Sequence, residues 1–166
     1  LKISHKAAGD AKEASSMSTD DELFEALPEE IAGPLPSHQH KFRVIYGDTD
    51  MAGIVYYANY LRFFEAGRGE LLRSLGLRYR MLEASGLTLP VVHAEVKYHS
   101  PARYEDELTL TTQIDQVRNV SLRVSYRLER EGALIATGQT GHACVNREGK
   151  LSRLPAEYRG KLLRLP

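Results

Sequence analysis

The stretch YGDTDMAGIVYYANYLRFFEAGRGELLRSLGL, residues 46–77, decides the fold. Its first half is a polar, glycine-containing loop with two carboxylates, Asp48 and Asp50. From Ala58 onward, Leu61, Phe64, Leu71, Leu72 and Leu75 recur at a spacing that suits a long helix. Gly76 stands where such a helix would stop. Gly67 and Gly69 inside it cost about 1 kcal/mol each against alanine, which makes sense if the helix lies very close to another backbone.

Toward the N-terminus, KFRVIYGD (41–48) alternates as a strand, with Phe42, Val44 and Tyr46 on one face. GPLPSHQH (33–40) has two prolines and no periodicity and reads as a linker. DDELFEALPEEI (20–31) starts with acids and sets Leu23, Phe24 and Leu27 on one helical face, the pattern of a short docking helix. Residues 1–18 read as a polar tail, and Met17 within it suggests that the first 16 residues are an upstream addition. The division is therefore a tail over 1–40 and one domain over 41–166.

Toward the C-terminus, RYRMLEAS (78–85) is a second, short helix before Gly86. From Leu89 the period changes to two: Val92, Ala94, Val96 and Tyr98 face one way, and His93, Glu95, Lys97 and His99 the other. Leu108, Leu110, Thr112 and Ile114 form the next inward set. After a turn at Arg118-Asn119 come Leu122, Val124, Tyr126 and Leu128, and a turn at Glu131-Gly132 leads into a last strand through about Asn146. AEYRGKLLRL closes as a helix. Strand, long helix, short helix and an antiparallel meander make an α+β fold whose sheet needs one face covered, and the long helix is the cover.

Composition narrows the function. A chain of 166 residues has room for one domain, and its 42% hydrophobic and 27% charged content is ordinary. No apolar run is long enough to span a bilayer, and no basic-then-apolar secretory leader opens the chain. One cysteine, Cys144, excludes an internal disulfide framework and CxxC metal or redox motifs, and fits a reducing cytoplasm; in the last strand it reads as a small core residue. Residues 1–40 hold three lysines against eight acids, and residues 41–166 hold 19 basic against 14 acidic residues, nets of −5 and +5. That excess is too diffuse for nucleic acid but admits an anionic ligand. The six histidines form no i,i+4 helical pair, so no metal site is expected, and His93 and His99 read as solvated or dimer contacts. GxSxG, HExxH, Walker and GxGxxG motifs are absent.

Two carboxylates and a glycine just ahead of a helix suit a reaction that builds negative charge on a carbonyl oxygen. The N–H groups of the first turn stabilise that charge while a carboxylate activates water or attacks directly. An aspartate there is also an ordinary helix cap, and the pattern alone does not choose.

The segment resembles the signature of the 4-hydroxybenzoyl-CoA thioesterase-like hotdog family, whose bacterial branch includes the acyl-CoA thioesterases associated with the Tol-Pal system. The resemblance is carried by Tyr46, Asp48-Thr49-Asp50, Ala52-Gly53, Ile54-Val55, Asn59-Tyr60 and Phe63-Phe64-Glu65, and by a second block, VKYHSPARYEDELTL (96–110). With the closing strand it covers about residues 41–150. It implies a hotdog fold, an antiparallel sheet wrapped around one long helix, and hydrolysis of an acyl-CoA thioester. Coenzyme A would be part of the substrate, with no separate cofactor, and the chain would form a homodimer or homotetramer with sites at the subunit junction.

Carried over by position, Asp50 is the catalytic aspartate and Tyr57 supplies a backbone N–H to the thioester carbonyl. Tyr46 and Asn59 lie near the substrate, Gly53 lets the loop pass close to it, and Asp48 orients the loop. Arg103, Arg118 and Asn119 are candidates for holding coenzyme A. Glu65 is the reserve catalytic carboxylate, or else a partner of Arg68 at i,i+3. The chain departs from the Tol-Pal-associated branch at Tyr57, where that branch has histidine. Asp50 then works as nucleophile or general base without an imidazole at that position. A carrier-protein thioesterase and a non-catalytic acyl-binding or scaffold module are the alternatives.

Overall fold

The computed structural model describes residues 35–164. The readings made for residues 1–34, including the short helix at 20–31, lie outside the described residues. In chain order the elements are β1 (Ser37–Arg43), a 3-10 turn (Tyr46–Asp48), α1 (Asn59–Ser74), α2 (Tyr79–Ala84) and β2 (Leu87–Thr88). Then follow β3 (Val91–Tyr98), β4 (Glu107–Val117), β5 (Ser121–Arg130), β6 (Ala133–Ala143), β7 (Val145–Asn146) and α3 (Ala156–Leu163). Five strands form one antiparallel sheet in the order β1-β4-β5-β6-β3, and β2 pairs with β7 in a separate ribbon.

The meander at the centre follows from alternation. Leu108, Leu110, Thr112 and Ile114 on β4, and Leu122, Val124, Tyr126 and Leu128 on β5, are all buried toward α1. Glu131 and Gly132 both take positive φ (50° and 82°), which fits the twist of a two-residue hairpin between β5 and β6.

Close approach of helix to sheet is set by two glycines on facing surfaces. A Cβ on Gly67 would lie 2.5 Å from Leu110 Cδ2 and from Thr112 Oγ1. A Cβ on Gly138, in β6, would strike the ring of Phe64 and stand 2.6 Å from the Glu95 carbonyl. Phe64 thereby lies flat on Tyr126, ring centroids 4.4 Å apart at 4°. Gly69 has no such neighbour: its nearest contact would be the Arg73 guanidinium at 3.7 Å.

Beneath α1 runs a chain of buried polar groups. Arg68 donates from Nε to the Tyr79 hydroxyl (2.6 Å) and from NH1 to that of Tyr126 (3.3 Å). The Leu89 carbonyl can only accept, so His142 donates to it from Nδ1 (3.2 Å) and accepts at Nε2 from the Thr140 hydroxyl (2.9 Å). Tyr126 then donates to Thr140 (2.7 Å), and every proton in the chain points the same way. Burial first, then the Arg68 charge, lowers the His142 pKa to about 4.

Four readings change. Strand β1 begins at Ser37, inside the segment read as linker, because Ser37–His40 pair with Gln113–Leu110 through backbone bonds that polar side chains do not advertise. Tyr46 leaves the strand for the 3-10 turn and is exposed. Leu61 is exposed and Phe63 is buried in its place. The face Val92, Ala94, Val96, Tyr98 is not inward: β3 is an outer strand, and only Val96 is half-buried.

Candidate active site

The loop before α1 is closed by its own backbone. Thr49 bridges to Val55, Asp50 N–H donates to the Ile54 carbonyl and Gly53 N–H to the Asp50 carbonyl, both at 2.9 Å. Gly53 has φ +71°, a left-handed conformation that glycine adopts without penalty. Its local role is that conformation, with Arg103 NH1 at 4.0 Å from where a Cβ would be.

Neither aspartate caps the helix. Asp48 is buried and accepts from Ile45 N–H (3.1 Å), with Arg62 NH1 at 3.5 Å, so it fixes the loop. Asp50 Oδ1 accepts from Ala52 N–H at 2.8 Å. Ala58 precedes α1 and makes no side-chain cap. Among the described residues, the backbone N–H of Tyr57 and the Oδ2 atom of Asp50 have no hydrogen-bond partner.

Asp50, Tyr57, Ile54, Val55, Tyr60 and the Tyr98–Pro101 segment line one cleft of about 520 Å³. Two tyrosines that the sequence left unassigned shape it. Tyr98 donates from its hydroxyl to the Tyr57 carbonyl at 2.9 Å and packs edge-on to the buried Tyr60, centroids 5.1 Å apart. Burial, then the neighbouring Tyr57 phenol, raises the Tyr98 pKa, which keeps this hydroxyl a donor at neutral pH. Tyr98 falls within the block VKYHSPARYEDELTL, but nothing in the block announces its contact with Tyr57.

The other candidates separate. Arg103 sits at the loop, with NH1 3.5 Å from the Gly53 carbonyl. Tyr46 turns away, edge-on to Tyr104 at 5.7 Å. Asn59 is spent on structure, donating to the Asp48 carbonyl (2.9 Å) and accepting from Arg62 (3.2 Å). Arg118 and Asn119 follow the far end of the eleven-residue β4 and do not line the Asp50 cleft within one protomer. Glu65 opens onto a different hollow, on the outer side of α1, with Arg62, Glu70, Arg73 and Tyr79. It does not pair with Arg68, whose guanidinium points inward to the two phenols.

Comparison with known proteins identifies the family. The acyl-CoA thioester hydrolase YbgC of Escherichia coli O6:H1 is 35% identical over 105 residues, 63% of this chain and 78% of its own length. The 1,4-dihydroxy-2-naphthoyl-CoA hydrolase of Synechococcus elongatus is 32% identical over 113 residues, 67% of this chain and 83% of its own length. These matches do not single out the Tol-Pal-associated branch. The crystal structure of a 1,4-dihydroxy-2-naphthoyl-CoA thioesterase from Synechocystis superposes with a TM-score of 0.73 at 27% identity, covering 78% of this chain and 97% of that one. The sequence profile of the thioesterase-like superfamily matches residues 44–162. The chain belongs to the thioesterase-like superfamily, and its fold is the hotdog.

Proposed function

We infer that this protein hydrolyses an acyl-CoA thioester to the free acid and coenzyme A, with Asp50 as the reacting carboxylate. The observation that carries this reading is the pairing, in one cleft, of a carboxylate oxygen and a helix-start N–H that are both left unpartnered. The thioester carbonyl accepts from Tyr57 N–H, and the positive end of α1 stabilises the oxyanion as it forms. Asp50 Oδ2 either attacks the carbonyl carbon or takes a proton from the water that does. Collapse of the tetrahedral intermediate expels the thiolate; on the nucleophilic route this leaves an acyl–Asp50 anhydride, which water cleaves to release the acid and restore the carboxylate. The Tyr57 side chain is not required for this, because the donor is its backbone N–H.

The cleft is completed by a second copy. Strand β3 is an outer strand with Val91, Val92 and Tyr98 about half exposed, an edge suited to antiparallel pairing with itself. Such a homodimer brings the Arg118–Asn119 end of one copy toward Asp50 of the other, where the arginine can meet the phosphates of coenzyme A. The buried, lone Cys144 fits a reducing cytoplasm as the working compartment. A carrier-protein-bound acyl chain presents the same thioester, and the same assay distinguishes it.

The test is thiol release from a panel of short, long and aromatic acyl-CoAs. Asp50→Asn keeps the acceptor for Ala52 and is expected to lose about 10²–10⁴ in kcat with an unchanged thermal midpoint. Equal rates for wild type and Asp50→Asn on every substrate would overturn the reading. In single turnover with ¹⁸O water, an anhydride that water cleaves at the Asp50 carbonyl leaves an unlabelled Asp50 oxygen in the first product, and the general-base route puts solvent oxygen there.

A further inference from the structure

Two hollows on the outer face of α1, of about 510 and 360 Å³, share Gly69, Arg73 and Tyr79 and form one groove. Phe63 and Ala66 line its apolar side, and Arg78 its far end. Among the described residues the Arg78 guanidinium has no ion pair. Gly69 lies on this groove, in the middle of a helix, where neither backbone angle nor internal packing calls for glycine. A bare helix surface that costs about 1 kcal/mol leaves room for something outside the domain to come close.

The described chain enters at this place. Leu35 packs on the core, the Pro36 carbonyl accepts from Ile114 N–H at 2.9 Å, and Ser37 pairs with Gln113. Gly67 of α1 stands against Leu110 and Thr112, the β4 partners of His40 and His38, and Phe63, on the groove, packs on Phe42 with ring centroids 4.7 Å apart, so the start of β1 runs beside the groove. Residues 1–34 carry eight acids against three lysines, and six of those acids fall in 20–31 around Leu23, Phe24 and Leu27. Ile31 is four residues from Leu35, a reach of at most about 14 Å. A tether that short gives even a weak interface a high effective concentration.

We propose that residues 20–31 dock in cis on this groove, with Leu23, Phe24 and Leu27 against Phe63, Ala66 and Gly69 and the acids toward Arg73 and Arg78. The occupant is this chain's own segment, chosen by where the chain enters and by Arg78, which has no ion pair among the described residues; the groove also carries Glu65 and Glu70, and Arg73 already pairs with Glu70. Docking covers the outer face of α1 and leaves the Asp50 cleft open.

The experiment uses the full chain with Ser18→Cys carrying a nitroxide, since the native Cys144 is fully buried and escapes labelling. Position 18 lies beyond the segment from its anchor, so docking produces a localised loss of the amide signals of Ala66, Gly69 and Tyr79 in ¹⁵N spectra. Arg73→Glu with Arg78→Glu is expected to restore those signals, and adding Glu25→Lys and Glu29→Lys to abolish them again. Weak loss spread over the surface, or no loss, overturns the proposal. Loss seen only when nitroxide-labelled and ¹⁵N-labelled copies are mixed also overturns it, because the groove is then filled by a second copy.

Discussion

Asp50 gives one oxygen to its own loop and keeps the other free, whereas Asp48 spends both on holding that loop. The two look alike in the sequence, and alternation and charge do not distinguish a reacting carboxylate from a cap. The resemblance singled out Asp50, and the role proposed for it rests on the loop geometry and on α1, which begins without a side-chain cap and so leaves its first amides available. Tyr98 was not legible in this way. Its hydroxyl meets the Tyr57 carbonyl across a gap of 41 residues in sequence, a contact that no local pattern announces. Removing that hydroxyl frees the peptide next to the proposed donor. Tyr98→Phe is therefore expected to lower kcat about tenfold with KM little changed, read from initial rates on the best acyl-CoA. A matching rise in KM alone would mean that Tyr98 only helps to bind substrate.

At the scale of elements, α1 was readable because its apolar residues recur, and β4 and β5 because every second residue is buried. The outer strands were harder. Ser37–His40 alternate between exposed and half-buried positions with polar side chains, so only pairing with β4 identifies them as strand. The apolar face assigned to β3 is real in the sequence but has no helix to cover it in one protomer. Gly67 does lie tight against the sheet, though against the Leu110 and Thr112 side chains rather than backbone; Gly69 has no such neighbour, and Gly138, on the facing strand, gave no sign of its role. Gly138→Ala drives a methyl into Phe64 and the Glu95 carbonyl, and Gly67→Ala one into Leu110 and Thr112. Each is expected to cost about 1–3 kcal/mol in urea unfolding, Gly138→Ala the more because one of its obstacles is backbone.

For the whole molecule, the buried chain from Arg68 to the Leu89 carbonyl links acidity to stability. His142 is neutral in the fold with a pKa of about 4, against an ordinary value near 6.5 in the unfolded chain. The unfolded state therefore binds a proton that the native state refuses. Stability from this group is complete above about pH 6.5, falls as pH drops through the interval toward 4, and is lost below it, on the order of 3 kcal/mol in all. Urea midpoints at pH 7, 5.5 and 4.5 would follow this fall, and it should flatten in His142→Gln. A slope that survives that substitution would assign acid sensitivity to other groups.

The strand order has a consequence for how the chain becomes folded. Ser37 pairs with Gln113 and Val91 with His142, so both outer strands are synthesised long before the strands that receive them. The neighbours β4, β5 and β6, by contrast, are joined by short turns and need little loop closure. On the ribosome α1 and β3 leave the exit tunnel with their apolar surfaces bare, and they wait for a hairpin not yet made. The strand order predicts that assembly of the late meander, which recruits the early segments, limits the rate. Gly132→Val, at the β5–β6 turn, should slow refolding, whereas Phe42→Ala on β1 should mainly speed unfolding. Stopped-flow chevrons of the two variants would separate these limbs.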